Sequence, residues 1–167
     1  ALATYGGYLK ISSQISPLDL PPLELVVGYS GVPHDTRSLV EKVQNLKKKY
    51  PELIHGIFQA IGSISDRAQP LMADGNHEEL GALMNINHGL LEAIGVGSRE
   101  LCELVYASRG AGGALGAKIT GAGGGGCMIA IPGPAGKEPL MTAIRQAGGR
   151  PFAAMMGEQG VLLEGEA

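Results

Sequence analysis

Residues 118–131 read KITGAGGGGCMIAI, with four consecutive glycines, Gly123 to Gly126, between two apolar, β-prone runs. Glycine loses more conformational freedom on folding than any other residue, so an ordered run of four needs an offsetting gain that only glycine allows. A plain hairpin turn requires one or two residues at positive φ. Four glycines, preceded by Thr120, Gly121 and Ala122, clear bulky side chains from a whole surface. Three readings stay open: a glycine-rich hairpin without a ligand, a loop packed tightly on a neighbouring helix, and a loop built for close approach of a ligand. In the last, amide N–H groups are free to donate.

Two familiar glycine motifs do not fit. Gly121, Gly123 and Gly126 satisfy GxGxxG by spacing. The dinucleotide-binding version needs a helix after the glycines and an acidic residue about twenty positions on. Here CMIAI follows, which reads as a strand, and no acidic residue stands at that distance. The phosphate-binding P-loop needs Lys-Ser/Thr after its last glycine, and this chain has Cys127-Met128.

The rest of the chain predicts an α+β fold with helices segregated against a mostly antiparallel sheet. TYGGYLKIS (Thr4–Ser12) reads as a strand with a bend or bulge at its glycine pair, and SPLDLPP (Ser16–Pro22) as a turn-rich linker. LELVVGYS (Leu23–Ser30) reads as a buried strand. A helix then opens with Asp35 or Thr36 as its N-cap, carries Leu39, Val43 and Leu46 on one stripe, and ends before Pro51. Apolar spacing predicts further helices over Pro51–Ala73, with Pro70 kinking or ending it, over His77–Gly95, and from a Ser98 cap to Gly110. LGAKIT and CMIAI are short strands on either side of the glycine loop. A helix over 135–148, a strand over RPFAAMM and a short strand at GVLLE complete the order.

Composition removes several functional classes. With 44% hydrophobic and 17% charged residues the chain lies far from disorder. Net charge is −3 and aromatic residues make up 4%, so neither a basic nucleic-acid surface nor a base-stacking platform is expected. Lys47 to Lys49 read as the solvated last turn of a helix. No apolar run is long enough to span a membrane, and no signal peptide is visible. The two cysteines, Cys102 and Cys127, form no CxxC or disulfide framework and both read as small thiols in apolar settings, which points to a cytoplasmic protein. The four histidines have no HExxH spacing.

KITGAGGGGC resembles the third signature motif of the GHMP kinases, the superfamily of galactokinase, homoserine kinase, mevalonate kinase and phosphomevalonate kinase. TYGGYLK, SGVPHDTRSLVEKV and MNINHGLLEAIGVGSRELCELV resemble stretches of its mevalonate kinase branch, of the archaeal type. The resemblance covers nearly the whole chain. It implies a ferredoxin-like C-terminal domain with added helices over residues 23–167, and a strand and linker left from the N-terminal kinase domain over 1–22. It implies transfer of the ATP γ-phosphoryl group to the hydroxyl of mevalonate, with Mg²⁺, in isoprenoid biosynthesis.

By the same resemblance Thr120, Gly121, Ala122, Gly123, Gly124, Gly125 and Gly126 lie near the phosphates and substrate, with the Thr36 hydroxyl facing them. Capping explains Thr36 as well. Tyr5, Gly6, Asn87 and His88 would be substrate-side residues, with strand packing and surface or core polar roles as competitors. The family's PxxxGLGSS-type phosphate loop, acidic metal ligand, N-terminal lysine and catalytic aspartate have no counterpart in this sequence. The chain opens on Ala1 rather than methionine, so it is expected to be a C-terminal piece, with the aspartate base a few residues upstream and no metal ligand of its own. Its partners would be ATP, mevalonate and the missing N-terminal half, with no nucleic acid or membrane; a homodimer stays open. Homoserine or phosphomevalonate as substrate, and a non-catalytic small-molecule-binding module of the same fold, are the alternatives.

Overall fold

The computed structural model describes residues 6–11, 14–33 and 35–157. It begins with a two-stranded antiparallel ribbon, β1 (Tyr8–Ile11) and β2 (Ile15–Leu18), with Tyr8 opposite Leu18 and Lys10 opposite Ser16. Gly6 and Gly7, at φ 67° and 57°, bend the chain into β1. β2 corrects the sequence expectation, because Ser16–Leu18 is strand rather than linker. Each strand of a two-stranded ribbon has one partner, so Pro17 can sit there without breaking a continuous ladder. Tyr8 is buried and its hydroxyl donates to the Pro21 carbonyl (3.1 Å). Thr4, Tyr5, Ser12 and the expected short strand at 160–164 lie outside the described residues.

The main sheet holds β3 (Leu23–Tyr29), β4 (Gly116–Ile119), β5 (Cys127–Ile131) and β6 (Arg150–Met156) in the order β4-β5-β3-β6. All three pairings are antiparallel. Helices α1 (Thr36–Lys49), α2 (Pro51–Ala73), α3 (His77–Ala93) and α4 (Arg99–Arg109) link β3 to β4, and α5 (Lys137–Gln146) links β5 to β6. With the four helices taken as one enlarged crossover, this is the β-α-β-β-α-β ferredoxin-like arrangement.

Helix boundaries follow local chemistry. Asp35 caps α1, its carboxylate accepting from the Arg37 N–H at 3.0 Å, so Thr36 is the first helical residue rather than the cap. Pro51 opens α2, where its missing N–H costs nothing. Pro70 does not end α2, which runs on to Ala73. Asn76 and Ser98 cap α3 and α4 through the N–H groups of Glu79 and Leu101.

Strand alternation gives the sheet two apolar faces. Val26, Ala117, Ile119, Met128 and Ala130 pack with Leu101, Leu104 and Val105 of α4 and Leu140 and Ile144 of α5. Leu23, Leu25 and Ile131 on the other face meet Leu80 and Met84 of α3, backed by Leu71 and Met72 of α2.

Helix α3 also closes the free edge of β4. A Cβ at Gly116 would lie 2.1 Å from the Gly81 carbonyl oxygen, so helix and strand backbones touch where both residues are glycine. The Ala117 N–H donates to Asn85 Oδ1 (3.1 Å), Asn85 Nδ2 donates to the Leu115 carbonyl (3.4 Å), and Arg109 Nη2 donates to the Ala117 carbonyl (2.5 Å). Side chains thus take the place of a neighbouring strand. Among the described residues, no helix is long and apolar enough to cross a membrane.

Candidate functional site

The glycine loop joins β4 to β5. Gly121, Gly123, Gly124 and Gly126 have φ of 73°, 81°, 73° and 77°, which β-branched or bulky residues resist. The Thr120 N–H donates to the Cys127 carbonyl (3.1 Å) and closes the base of the loop. The Gly124 N–H donates to the Val96 carbonyl (2.7 Å), the Gly126 N–H to the Val32 carbonyl (3.2 Å), and the Gly126 carbonyl accepts from the Ser30 N–H (2.8 Å). A Cβ at Gly123 would lie 2.1 Å from the Val96 oxygen, and one at Gly124 would lie 2.6 Å from Leu39 Cδ1.

Tight packing against neighbouring backbone therefore accounts for part of the run. It does not account for all of it. Gly121 is exposed, and among the described residues a Cβ there would meet nothing within 4 Å. Among the described residues, the N–H groups of Gly121, Ala122, Gly123 and Gly125 have no backbone acceptor. Ala122 borders an apolar recess of about 290 Å³ with Leu39, Val43, Phe58 and Val96.

Thr36 is exposed at the amino end of α1, one turn before Leu39, the residue that meets Gly124. The helix end brings its partial positive charge toward the loop. The loop amides without backbone acceptors are the donors open to an anion here, since the Asp35 carboxylate already caps the α1 amino end.

The other sequence candidates lie in different settings. Gly6 is half-buried two residues before β1, and Tyr5 lies outside the described residues. Asn87 is nearly buried and lines a cavity of about 170 Å³ with Ser65, Met84 and Lys118. Burial lowers the Lys118 pKa, and its ammonium donates to the Ile119 carbonyl (2.9 Å). His88 is fully enclosed, with its ring edge-on to Tyr106 at 6.0 Å and Nε2 3.3 Å from Glu92 Oε2. Burial pushes the imidazole pKa down, as do the Arg109 and Lys118 charges, against an opposing pull from Glu92.

Cys102 departs from the apolar setting expected of it. Burial and a hydrogen bond to Glu92 push its thiol up to about 11. Burial would raise the Glu92 pKa, but the bonds from Cys102 and Tyr106 hold it below the usual carboxylate range. Sequence reasoning passed over Asn85 and this cluster. The i, i+4 spacing of His88 and Glu92 on one helix was its one visible sign.

A magnesium ion takes oxygen ligands, commonly one or two carboxylates with water and phosphate. Of the segments that frame the loop, 30–39, 95–98 and 120–126, only the first carries an acidic residue, Asp35, and its carboxylate caps α1. This set does not fit a magnesium site made by these segments alone.

Comparison with known proteins agrees with this fold. Residues 68–158 match the family model described as GHMP kinases C terminal. The chain belongs to that family. It is 43% identical to the mevalonate kinase of Pyrococcus horikoshii over 169 residues, covering 98% of this chain and 50% of the relative. It is 35% identical to that of Aeropyrum pernix over 167 residues, covering 98% of this chain and 51% of the relative. The chain thus spans about half the length of these curated relatives. The crystal structure of L. major mevalonate kinase in complex with R-mevalonate superposes with a TM-score of 0.81 at 26% identity, over 89% of this chain and 47% of that one.

Proposed function

We propose that this chain supplies the C-terminal half of an ATP-dependent mevalonate kinase. Its glycine loop borders the transferred phosphoryl group and the alcohol that receives it. The observation that carries this reading is the set of loop amides without backbone acceptors, Gly121, Ala122, Gly123 and Gly125, beside the amino end of α1. The 43% identity to an archaeal mevalonate kinase supports the choice of substrate.

Phosphoryl transfer depends on positioning and on stabilising charge that develops on the phosphoryl oxygens. Amides fixed before reaction do this without reorganising. The loop would contribute these donors, and its lack of side chains would let the two substrates meet. Gly124 and Gly126 would hold the loop's shape through their bonds to Val96 and Val32. Thr36 would offer its hydroxyl from the first turn of α1. The proton-accepting carboxylate, the magnesium ligands and the main ATP phosphate loop would belong to an N-terminal half, with residues 1–22 leading from it. Magnesium would arrive with ATP and balance phosphate charge.

The test is Thr36→Asp in the chain joined to the N-terminal half of the Pyrococcus horikoshii relative. A carboxylate in the first turn suits the helix dipole, so the melting temperature should hold or rise. Beside the ATP phosphates it should repel, raising KM for ATP about tenfold or more. Unchanged ATP affinity in the folded variant would remove Thr36 from the site. With the unsubstituted protein, preference for homoserine or phosphomevalonate over mevalonate would correct the substrate.

A further inference from the structure

His88 and Glu92 stand one turn apart on α3, and Cys102 faces them from α4. One ligand atom from each, an imidazole nitrogen, a carboxylate oxygen and the sulfur, lies within 4.8 Å of the others. His88 is fully buried, and among the described residues neither ring nitrogen has a hydrogen-bond partner. A buried polar atom without a partner is uncommon and calls for a reason. No hydrogen bond of acceptable geometry joins the ring to the Glu92 carboxylate one turn on. The Nε2 atom nevertheless stands only 3.3 Å from Glu92 Oε2.

We propose that His88, Glu92 and Cys102 form a binding site for a thiophilic divalent transition metal ion, with zinc as the best match. A cation between them gives the neutral imidazole lone pair and the carboxylate a shared partner. Ligands about 2.0–2.3 Å from a tetrahedral zinc stand roughly 3.3–3.8 Å apart, so the His88–Glu92 pair already has the required separation. The sulfur must close in by less than a side-chain rotation moves it. Cys102 is thiol in the free protein, and on binding its proton leaves to solvent as the sulfur–metal bond forms. Tyr106, whose hydroxyl donates to Glu92 Oε2 at 3.0 Å, would hold the carboxylate in place. The mixed sulfur, nitrogen and oxygen set disfavours magnesium and calcium, which take oxygen ligands. Water would fill the fourth position, since Glu92 is part-exposed. The ion would pin α3 to α4, the helices on either side of the Val96 carbonyl that holds Gly124.

The experiment uses the full chain stripped with chelator, then titrated with Zn²⁺ alone and separately with Co²⁺ alone. One equivalent of Zn²⁺ should be retained on equilibrium dialysis, and Co²⁺ should produce a thiolate-to-cobalt charge-transfer band. Cys102→Ser should abolish the band and weaken Zn²⁺ binding at least tenfold while circular dichroism remains native. Glu92→Gln should weaken binding and shift the cobalt ligand-field spectrum, and Cys127→Ser should change neither. Failure of the unsubstituted chain to retain stoichiometric Zn²⁺ would overturn the proposal. So would binding indifferent to Cys102→Ser, or a band lost with Cys127→Ser instead.

Discussion

The glycines of the 120–126 loop divide by what surrounds them. Gly123 has φ 81° and no room for a Cβ beside the Val96 carbonyl, whereas Gly121 has φ 73° and open space. Gly121→Ala therefore carries only the left-handed backbone penalty, about 1–2 kcal/mol. Gly123→Ala adds overpacking against backbone, for a total of about 3 kcal/mol or more. Thermal unfolding of the two variants should show that order clearly, since about 2–4 °C accompanies each kcal/mol at this size. Equal shifts would mean the loop does not pack on Val96. A valine at Gly124 is a poor probe of ligand approach, because it would displace Leu39 and disturb the bond to Val96. Gly121 is the better position, and Gly121→Val should lower turnover of the joined kinase more than it lowers stability.

Among the elements, those with strong local signals were legible. The stretch Pro51–Ala73 is α2, marked by its apolar spacing and by Pro51 at its first turn, and RPFAAMM is β6. β2 was missed because Ser16 and Pro17 read as turn residues until a partner strand is known. The sequence singled out the glycine loop, but not which glycines serve packing, since Val96 and Leu39 meet the loop only through tertiary structure. Asn85 shows the same limit. Beside Asn87 and His88 it looked unremarkable, yet it bonds the backbone at the edge of β4. Asn85→Ala should leave the Ala117 N–H without its partner and cost about 1–3 kcal/mol in denaturant unfolding. Hydrogen exchange at Ala117 should quicken in that variant. Native protection there would show that water or another group replaces the amide.

At the scale of the whole molecule, α4 packs on one apolar face of the sheet and α3 on the other, and Lys118 lies beneath α2 and α3. Burial holds the Lys118 pKa below its ordinary value of about 10.4. Between the folded pKa and that value the unfolded chain binds the proton and the folded chain does not, so stability rises with pH in this window. Lys118→Met removes the penalty. Its stability advantage should be largest at neutral pH and shrink as pH approaches about 10. A gap that stays constant over that range would show Lys118 paired rather than desolvated. The central claim is that a kinase site is shared between this chain and an N-terminal half. Its most direct test is ATP-dependent phosphorylation of mevalonate, measured with the chain alone and with the chain joined to the Pyrococcus horikoshii N-terminal half. No turnover above background by the chain alone, and mevalonate-dependent release of ADP by the joined protein, is the predicted result. Turnover by the chain alone, or a folded joined protein that phosphorylates no mevalonate, would contradict it.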